Sequence, residues 1–477
     1  MEGTSMLKRL TAFFLVLMLL VSCTGLSQAA SARTMKKGSR GSDVKTLQTA
    51  LKDKGFYSGK IDGIYGKKTV SAVKAFQRKN GLKADGVAGP KTLGKLYEKG
   101  SAETDSPAET NTPSPRITAE PPDAVKDEAI SYLESIAARS GAVCGTVVLS
   151  RKGQVFLTWS FGGADEDTCF RIASITKWVT AIGLMTLYDE GKLDLDKDIS
   201  TYLGFTVRNP AYPNTPITAR MLMTHTSSLS AEASNYHPDW TRIGKKGYDP
   251  IFNESIEPGT QYVYADYNGA LFGCLIEAIS KQSVQNYLDQ KVFKPLGLTA
   301  AYSPKFLPAG TKARDLLNPN GKVQISVQKD RNRTYNNKAD PKGNNGYTVG
   351  KLYINASSLT KLAQMMCNGG ELNGVRILQT QTVRLMESEQ KGLAESRYGL
   401  STVRLHQFDR GTWYGHQGRY SGLSSNVYYQ HETGITMALV MNGYEPQLTD
   451  NIVEPAYSIL TNMEKLEEIR LGKADGG

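Results

Sequence analysis

Ser174 and Lys177 stand three residues apart in FRIASITKW, residues 170–178. A serine hydroxyl is a weak nucleophile until a neighbouring group takes its proton. On a helix an amine three residues on lies one turn away on the same face, where it supplies either that base or a fixed positive charge. The spacing alone does not select this pair, because Ser-x-x-Lys also begins at Ser5, Ser42, Ser71, Ser326, Ser358 and Ser388. What separates Ser174 is its setting. A short apolar run from Cys169 to Ile172 gives way there to Ile175, Trp178, Val179, Ile182 and Met185 at helical spacing.

A nucleophile at a helix start needs a scaffold. DAVKDEAISYLESIAARSG reads as a helix with Ile130, Leu133 and Ile136 on one face and Gly141 at its end. AVCGTVVLS, the turn RKG and QVFLTWSFG then read as a β-hairpin. Strands are expected again only near the C-terminus, in SSNVYYQ and ITMALVM joined by HETG. The simplest packing puts all four strands in one antiparallel sheet, covered by the long helical region between them. The fold class expected for residues 124–470 is therefore one large α/β domain, an antiparallel sheet flanked by helices. Within it, Gly369-Gly370 reads as a helix stop. The polar stretch from Asn318 to Thr348 suits an active-site flap or a plain surface loop equally.

At 477 residues the chain is long for one core, and multidomain organisation is expected. Lys8 and Arg9 precede the apolar run TAFFLVLMLLV and the small residues SQAASA, the pattern of an export signal over residues 1–32. Ala30-Ser31-Ala32 suits signal peptidase, while LVSC resembles a bacterial lipobox that would lipidate Cys23, so processing is left open between the two. The expected location is outside the cell, in the wall or on the membrane through that anchor. Of the remaining cysteines, Cys274 and Cys367 fall in helical apolar patterns as core thiols, and Cys144 and Cys169 are a candidate pair. Five histidines with no HExxH or CxxC spacing argue against a metal, and nothing calls for a cofactor.

The formal net charge of +11 is concentrated. Lys36 to Lys99 carries 16 basic against 5 acidic residues, an excess equal to that of the whole chain. Within this stretch DGIYGKKT (62–69) recurs as DGVAGPKT (85–92), each preceded by a helical pattern with Gln48 and Gln77 in matching places. Asp-Gly supplies a tight turn and Thr a helix cap, so residues 35–98 should form a small all-α, three-helix unit. The stretch resembles the peptidoglycan-binding-like domain of many bacterial wall hydrolases, which implies peptidoglycan as its partner. An exported protein whose basic residues lack interleaved aromatics is a poor candidate for nucleic acid. Residues 99–123, rich in Pro, Ser, Thr and acids, cannot bury a core and read as a linker.

Four ordered motifs give the large domain a second resemblance. FRIASITKWVTAIGLMTLYDEGKLDLDKDISTYL, ITARMLMTHTSSL, PGTQYVYADYNGALFG and GHQGRYSGLSS together resemble the class C beta-lactamase-like branch of the penicillin-recognising serine hydrolases. That branch includes D-Ala-D-Ala carboxypeptidases, D-peptidases, beta-lactamases and esterases. The resemblance implies that Ser174 forms an acyl-enzyme, that Tyr264 and Lys177 act as one coupled base, and that His416 orients the base or meets a substrate carboxylate. It also implies that Gly418 lets a strand edge approach the ligand, with the Ser174 and Arg419 amides forming an oxyanion hole. His225 reads as a turn residue beside the site.

Two positions depart from the family pattern. Ser228 stands where glycine is usual, and Asp266 where asparagine usually donates a hydrogen bond to the substrate. An ionised carboxylate only accepts, so Asp266 would bind a substrate amine, pair with Lys177 or act while protonated. The expected function is a wall-associated serine hydrolase, foremost a D-Ala-D-Ala carboxypeptidase or D-peptidase. An esterase or beta-lactamase on the same machinery, and a non-catalytic wall-binding or antibiotic-sensing protein, are the alternatives.

Overall fold

The computed structural model describes residues 35–39, 42–97, 123–231, 251–335, 337–343, 346–390, 398–408 and 411–471. The export segment, Cys23 and most of the linker lie outside them. The chain divides into two compact units, Met1–Ala108 and Glu109–Gly477.

In the first unit, helices α1 (Ser42–Asp53), α2 (Lys67–Lys79) and α3 (Pro90–Tyr97) enclose a core of Leu47, Leu51, Tyr65, Val73, Phe76 and Leu96. The internal repeat has a physical cause in two buried glutamines. Gln48 donates to Asp62 Oδ1 and Thr69 Oγ1 while its Oε1 accepts from the Gly63 amide. Gln77 does the same with Asp85, Thr92 and Gly86. Each amide side chain ties an Asp-Gly turn to the threonine of the following helix, so no polar group of the turn is buried unpaired.

The second unit opens with α4 (Asp123–Ser140) and the hairpin β1 (Cys144–Arg151) and β2 (Gln154–Phe161). The hairpin turn is Lys152-Gly153, both at positive φ, which matches the twist of the flanking strands. After β3 (Phe170–Arg171) come α5 (Ile175–Asp189), the short α6 (Ala219–Met223) and α7 (Asp266–Ser280). Next are β4 (Ala300–Ala301), α8 (Val327–Asn332), α9 (Tyr347–Gly350) and β5 (Tyr353–Ile354). Then follow α10 (Ala356–Cys367), α11 (Thr380–Glu387), the strands β6 (Val403–Leu405), β7 (Trp413–Tyr420), β8 (Gly422–Gln430) and β9 (Ile435–Tyr444), and finally α12 (Met463–Leu471).

The main sheet runs β6-β7-β8-β9-β1-β2 and is antiparallel throughout. It is larger than the four strands read from the sequence. WYGHQGRY carries three glycine-or-charge positions and little alternation, so its periodicity does not mark β7, yet β8 pairs with it from Trp413–Gln430 to Tyr420–Leu423. The core lies on both faces of the sheet. One face packs α5, α7 and α10, and the other packs α4 and α12. A small sheet, β3-β5-β4, sits beside the nucleophile helix.

The four cysteines Cys144, Cys169, Cys274 and Cys367 are all free and buried. The candidate pairing of Cys144 with Cys169 is therefore not made: the first sits on β1 against Asn442, while the second enters the small sheet, where its thiol approaches the Thr299 carbonyl. The segment from Asn318 to Thr348 is tied into the body through α8 and through Tyr335, whose ring packs on Phe306 and Tyr347.

Candidate active site

Helix α5 is buried all round from Ile175 to Leu187, with Trp178, Ile182 and Met185 in the core. A helix apolar on every side is held from every side, which makes it a rigid mount. Ser174 is its N-cap, and Ala173 before it takes a left-handed φ of 45°, uncommon for a residue with a side chain. The chain thus turns sharply out of β3 and presents Ser174, half-buried, at the helix start.

Lys177 follows one turn on, with its side chain only 1% exposed. Its Nζ donates to Ser174 Oγ at 3.1 Å and to the Val349 carbonyl at 2.8 Å, and lies 2.7 Å from Asp266 Oδ1. All three ammonium hydrogens therefore have acceptors. Burial alone would lower the Lys177 pKa, but the negative charge on Tyr264 and Asp266 outweighs it and the pKa is raised. Glycine makes the close approach possible. A Cβ on Gly269, one turn into α7, would sit 2.7 Å from Lys177 Cγ, so only a bare backbone lets α7 bring Asp266 to the ammonium. Thr348 Oγ1 bonds the Gly269 carbonyl and locks α9, which carries the Val349 acceptor, onto the same helix.

Tyr264 arrives on the chain entering α7, and its hydroxyl lies 2.9 Å from Ser174 Oγ. His225 holds the phenol in place: the two rings stack at 4.2 Å and 25°. His225 Nδ1 accepts from the Ala265 amide at 3.2 Å and lies 2.9 Å from Asn268 Nδ2. Burial, reinforced by the charge on Lys177, pushes the His225 pKa well below its ordinary value, so this ring is neutral. The sequence marked His225 as a turn residue; in the fold it is the back wall of the tyrosine. Ser228, the departure from glycine, adopts φ 60°, the left-handed conformation that favours glycine, and its hydroxyl accepts from Asn209 Nδ2.

His416 sits on β7 and is buried. Its Nδ1 reaches the Gln417 carbonyl at 2.7 Å and its Nε2 the Tyr398 hydroxyl at 2.7 Å. Nδ1 must carry the proton to donate to a carbonyl, so Nε2 accepts from Tyr398. Burial pushes its pKa down to about 4. Both nitrogens are engaged away from Ser174, Lys177 and Tyr264, so His416 offers no charge to a substrate carboxylate. Tyr398, which had no motif to mark it, is its partner.

Gly418 passes directly over the nucleophile. A Cβ there would lie 2.3 Å from the Ile172 carbonyl, 2.4 Å from Ser425 Oγ and 3.1 Å from the Ser174 amide nitrogen. The edge of β7 beyond its pairing with β6 thus runs against the start of α5, bringing Arg419, itself exposed, next in line. The fold gathers Ser174, Lys177, Tyr264, Asp266 and Gly418 into one cluster from three separate stretches of chain. Among the described residues no group of three or more His, Cys, Asp or Glu side chains converges as metal ligands would.

Comparison with known proteins agrees with this architecture. The family model described as beta-lactamase matches residues 129–456, and that of a peptidoglycan binding domain matches residues 40–96. The chain is similar to protein flp of Staphylococcus aureus strain MRSA252, 28% identical over 167 residues covering 32% of this chain and 33% of that protein. It thus spans about a third of the length of the curated relatives it first matches. It is also similar to penicillin-binding protein 4 of Amycolatopsis lactamdurans, 25% identical over 58% of this chain and 73% of that protein. Among solved structures, an octameric penicillin-binding protein homologue from Pyrococcus abyssi superposes with a TM-score of 0.55 at 20% identity, covering 72% of this chain and 77% of that one.

Proposed function

Because the chain belongs to the beta-lactamase family, as the match over residues 129–456 establishes, we propose that it is a wall-associated serine D-peptidase that removes D-alanine from peptidoglycan peptides. One observation carries this reading: Ser174 Oγ lies within hydrogen-bond distance of both Lys177 Nζ and Tyr264 Oη. An ammonium with three acceptors has no lone pair to take a proton, so Tyr264, whose oxygen touches Ser174 Oγ, is the proton acceptor and Lys177 the positive charge held beside the pair. Ser174 Oγ attacks the acyl carbon while its proton passes to Tyr264. The C–N bond breaks, the leaving amine takes that proton back, and water resolves the ester by the same route in reverse. The amides of Ser174 and Arg419, on either side of Gly418, stabilise the oxyanion.

The N-terminal unit, with its basic surface and its match to a peptidoglycan binding domain, holds the enzyme at its polymer and raises the local substrate concentration. Export through residues 1–32, with or without a lipid on Cys23, belongs to the same reading. Mass spectrometry of products from defined muropeptides tests it, with a penicillin and a simple ester as parallel substrates. Wild type should release terminal D-alanine and carry a penicillin adduct on Ser174, and Ser174→Ala should do neither. Release of D-alanine by Ser174→Ala at the wild-type rate would refute the nucleophile. Turnover of the penicillin or the ester with no peptide product would refute the D-peptidase.

A further inference from the structure

The base Tyr264 is backed by His225, and the strand over Ser174 carries His416. One side chain touches both histidines. Tyr398 is 7% exposed, and its hydroxyl donates to His416 Nε2 at 2.7 Å. Its ring meets the His225 ring edge-on, with centres 5.5 Å apart and planes at 78°. Tyr262 lies 5.9 Å from His225 and 5.7 Å from Tyr398. The His225 imidazole is thus set among three tyrosines, Tyr264 against its face and Tyr262 and Tyr398 at steep angles to it. Edge-to-face contacts of this kind fix the orientation of a ring as well as burying it.

The backbone around Tyr398 is anchored to the same surroundings. Ser401 takes a left-handed φ of 51°, and its amide donates to the carbonyl of Met223, the last residue of α6 and two before His225. The Leu400 amide donates to the Met386 carbonyl in α11, and a Cβ on Gly399 would lie 2.0 Å from that oxygen, so the chain passes tight against the helix. An isolated bridge joins Tyr398 to Val403, the first residue of β6. The β6–β7 ladder ends where Val403 faces Gly415. His416 is therefore the first residue of β7 past that ladder, and the Tyr398 hydroxyl takes hold of the strand where the backbone bonds to β6 stop. Burial raises the Tyr398 pKa well above its ordinary value, so the hydroxyl keeps the proton it donates.

We propose that Tyr398 is a positioning residue for acyl transfer, a brace that keeps the base Tyr264 and the strand carrying Gly418 in register on either side of Ser174. This rests on the reading that Ser174 is the nucleophile and Tyr264 its proton acceptor. The two halves of the brace are chemically separate. The hydroxyl acts on the strand through His416, and the ring acts on the base through His225. Both walls stand close to the serine: the Tyr264 hydroxyl is 2.9 Å from Ser174 Oγ, and a Cβ on Gly418 would lie 3.1 Å from the Ser174 amide nitrogen. Misplacing a reacting group by about 1 Å costs about 100-fold in rate, so freeing one wall by part of that distance should cost about ten-fold.

Full-length chains carrying Tyr398→Phe and Tyr398→Leu test it, with Tyr444→Phe as control. Tyr444 is a buried tyrosine in the core on the sheet face away from α5, and its hydroxyl donates to the Glu454 carbonyl at 2.8 Å. Stopped-flow acylation by a penicillin over a range of concentrations separates the limiting rate from the half-saturation concentration. Tyr398→Phe should lower the limiting rate about ten-fold, keep half-saturation within about two-fold, and leave the pH profile in place because the ring still backs His225. Tyr398→Leu should lower the rate further and displace the acid limb of the profile, because the base loses its support. Tyr444→Phe should stay within about two-fold of wild type in rate. Nitrogen-15 NMR of histidine-labelled chains gives a second readout: in Tyr398→Phe the His416 Nε2 resonance should move to the position of an unbonded ring nitrogen while the His225 resonances stay. A rate loss matched by Tyr444→Phe, an acid limb unmoved in Tyr398→Leu, or an unmoved His416 resonance would overturn the brace. A wild type that forms no adduct on Ser174 would overturn the nucleophile and the brace with it, whereas an adduct that forms equally fast in wild type and Tyr398→Phe would remove the brace alone.

Discussion

Asp266→Asn separates the two things the carboxylate does. In the wild type, Asp266 Oδ1 lies 2.7 Å from an ammonium that is only 1% exposed. At that distance and an effective dielectric constant of about 20, the attraction is about 6 kcal/mol. Asp266 is 47% exposed, so solvent screening and the cost of desolvating Lys177 reduce the net loss on neutralising it to about 1–3 kcal/mol. In a unit of this size that lowers the melting temperature by about 2–6 °C. The pH dependence follows from the raised Lys177 pKa. A lysine whose pKa is higher folded than unfolded contributes stability that is complete below the unfolded value of about 10.4 and is lost as pH rises through the folded value. The deficit of the variant should therefore be constant from pH 6 to 9 and shrink above about pH 10.

Activity should move the other way. An asparagine amide donates a hydrogen bond to a substrate carbonyl where a carboxylate cannot, a gain of about 1 kcal/mol. The variant should then be acylated by a penicillin about five-fold faster at neutral pH. Differential scanning calorimetry across the pH range and stopped-flow acylation measure the two effects on the same samples. A variant melting temperature equal to that of the wild type from pH 6 to 9 would refute the ion pair's part in holding Lys177. A deficit that persists undiminished above pH 10 would refute the assignment of the raised pKa.

Gly418→Ala should slow acylation about 100-fold, because the new methyl meets the Ile172 carbonyl and Ser425 Oγ inside contact distance and shifts the strand over Ser174. The same clash should cost about 1–3 kcal/mol of stability by chemical denaturation, and wild-type acylation in this variant would show that β7 does not approach the nucleophile. His431 offers a second pH signature, remote from the catalytic cluster. Burial would lower its pKa, but hydrogen bonds with Cys367 and the Glu387 carboxylate raise it to about 10. Allowing for a side chain 34% exposed, His431→Gln should cost about 1–2 kcal/mol below pH 6.5, a loss that fades toward pH 10; a pH-independent deficit would exclude the charged pair. Deleting residues 35–97 should leave hydrolysis of small substrates within two-fold of wild type while reducing co-sedimentation with purified sacculi, and undiminished sedimentation would remove the wall-binding role from that unit.

Much of the site was legible in one dimension because its parts are local. Ser174 and Lys177 share one helical turn, and the Tyr264–Asp266 and His416–Gly418 stretches are short contiguous motifs that the family resemblance marks. The Gln48 and Gln77 echo was visible for the same reason, since each ties a turn to the helix beside it. What the sequence left open were properties of groups far apart in the chain. The role of Asp266 stayed three-way until α7 was seen to pack Gly269 against the stem of Lys177. The role of His416 stayed open between orienting the base and meeting a substrate carboxylate until Tyr398 and the Gln417 carbonyl claimed both its nitrogens.

The periodicities and motifs by themselves determined that this chain has a small repeat-built helical unit, an α/β unit with a serine and a lysine on one helix face, and the residue types for acyl transfer. Only the tertiary structure decided protonation: that Lys177 is an ammonium with every hydrogen committed and that His225 and His416 are neutral. Residue type sets which proton a side chain can hold, but whether it holds it depends on burial and on neighbours brought in from distant parts of the chain.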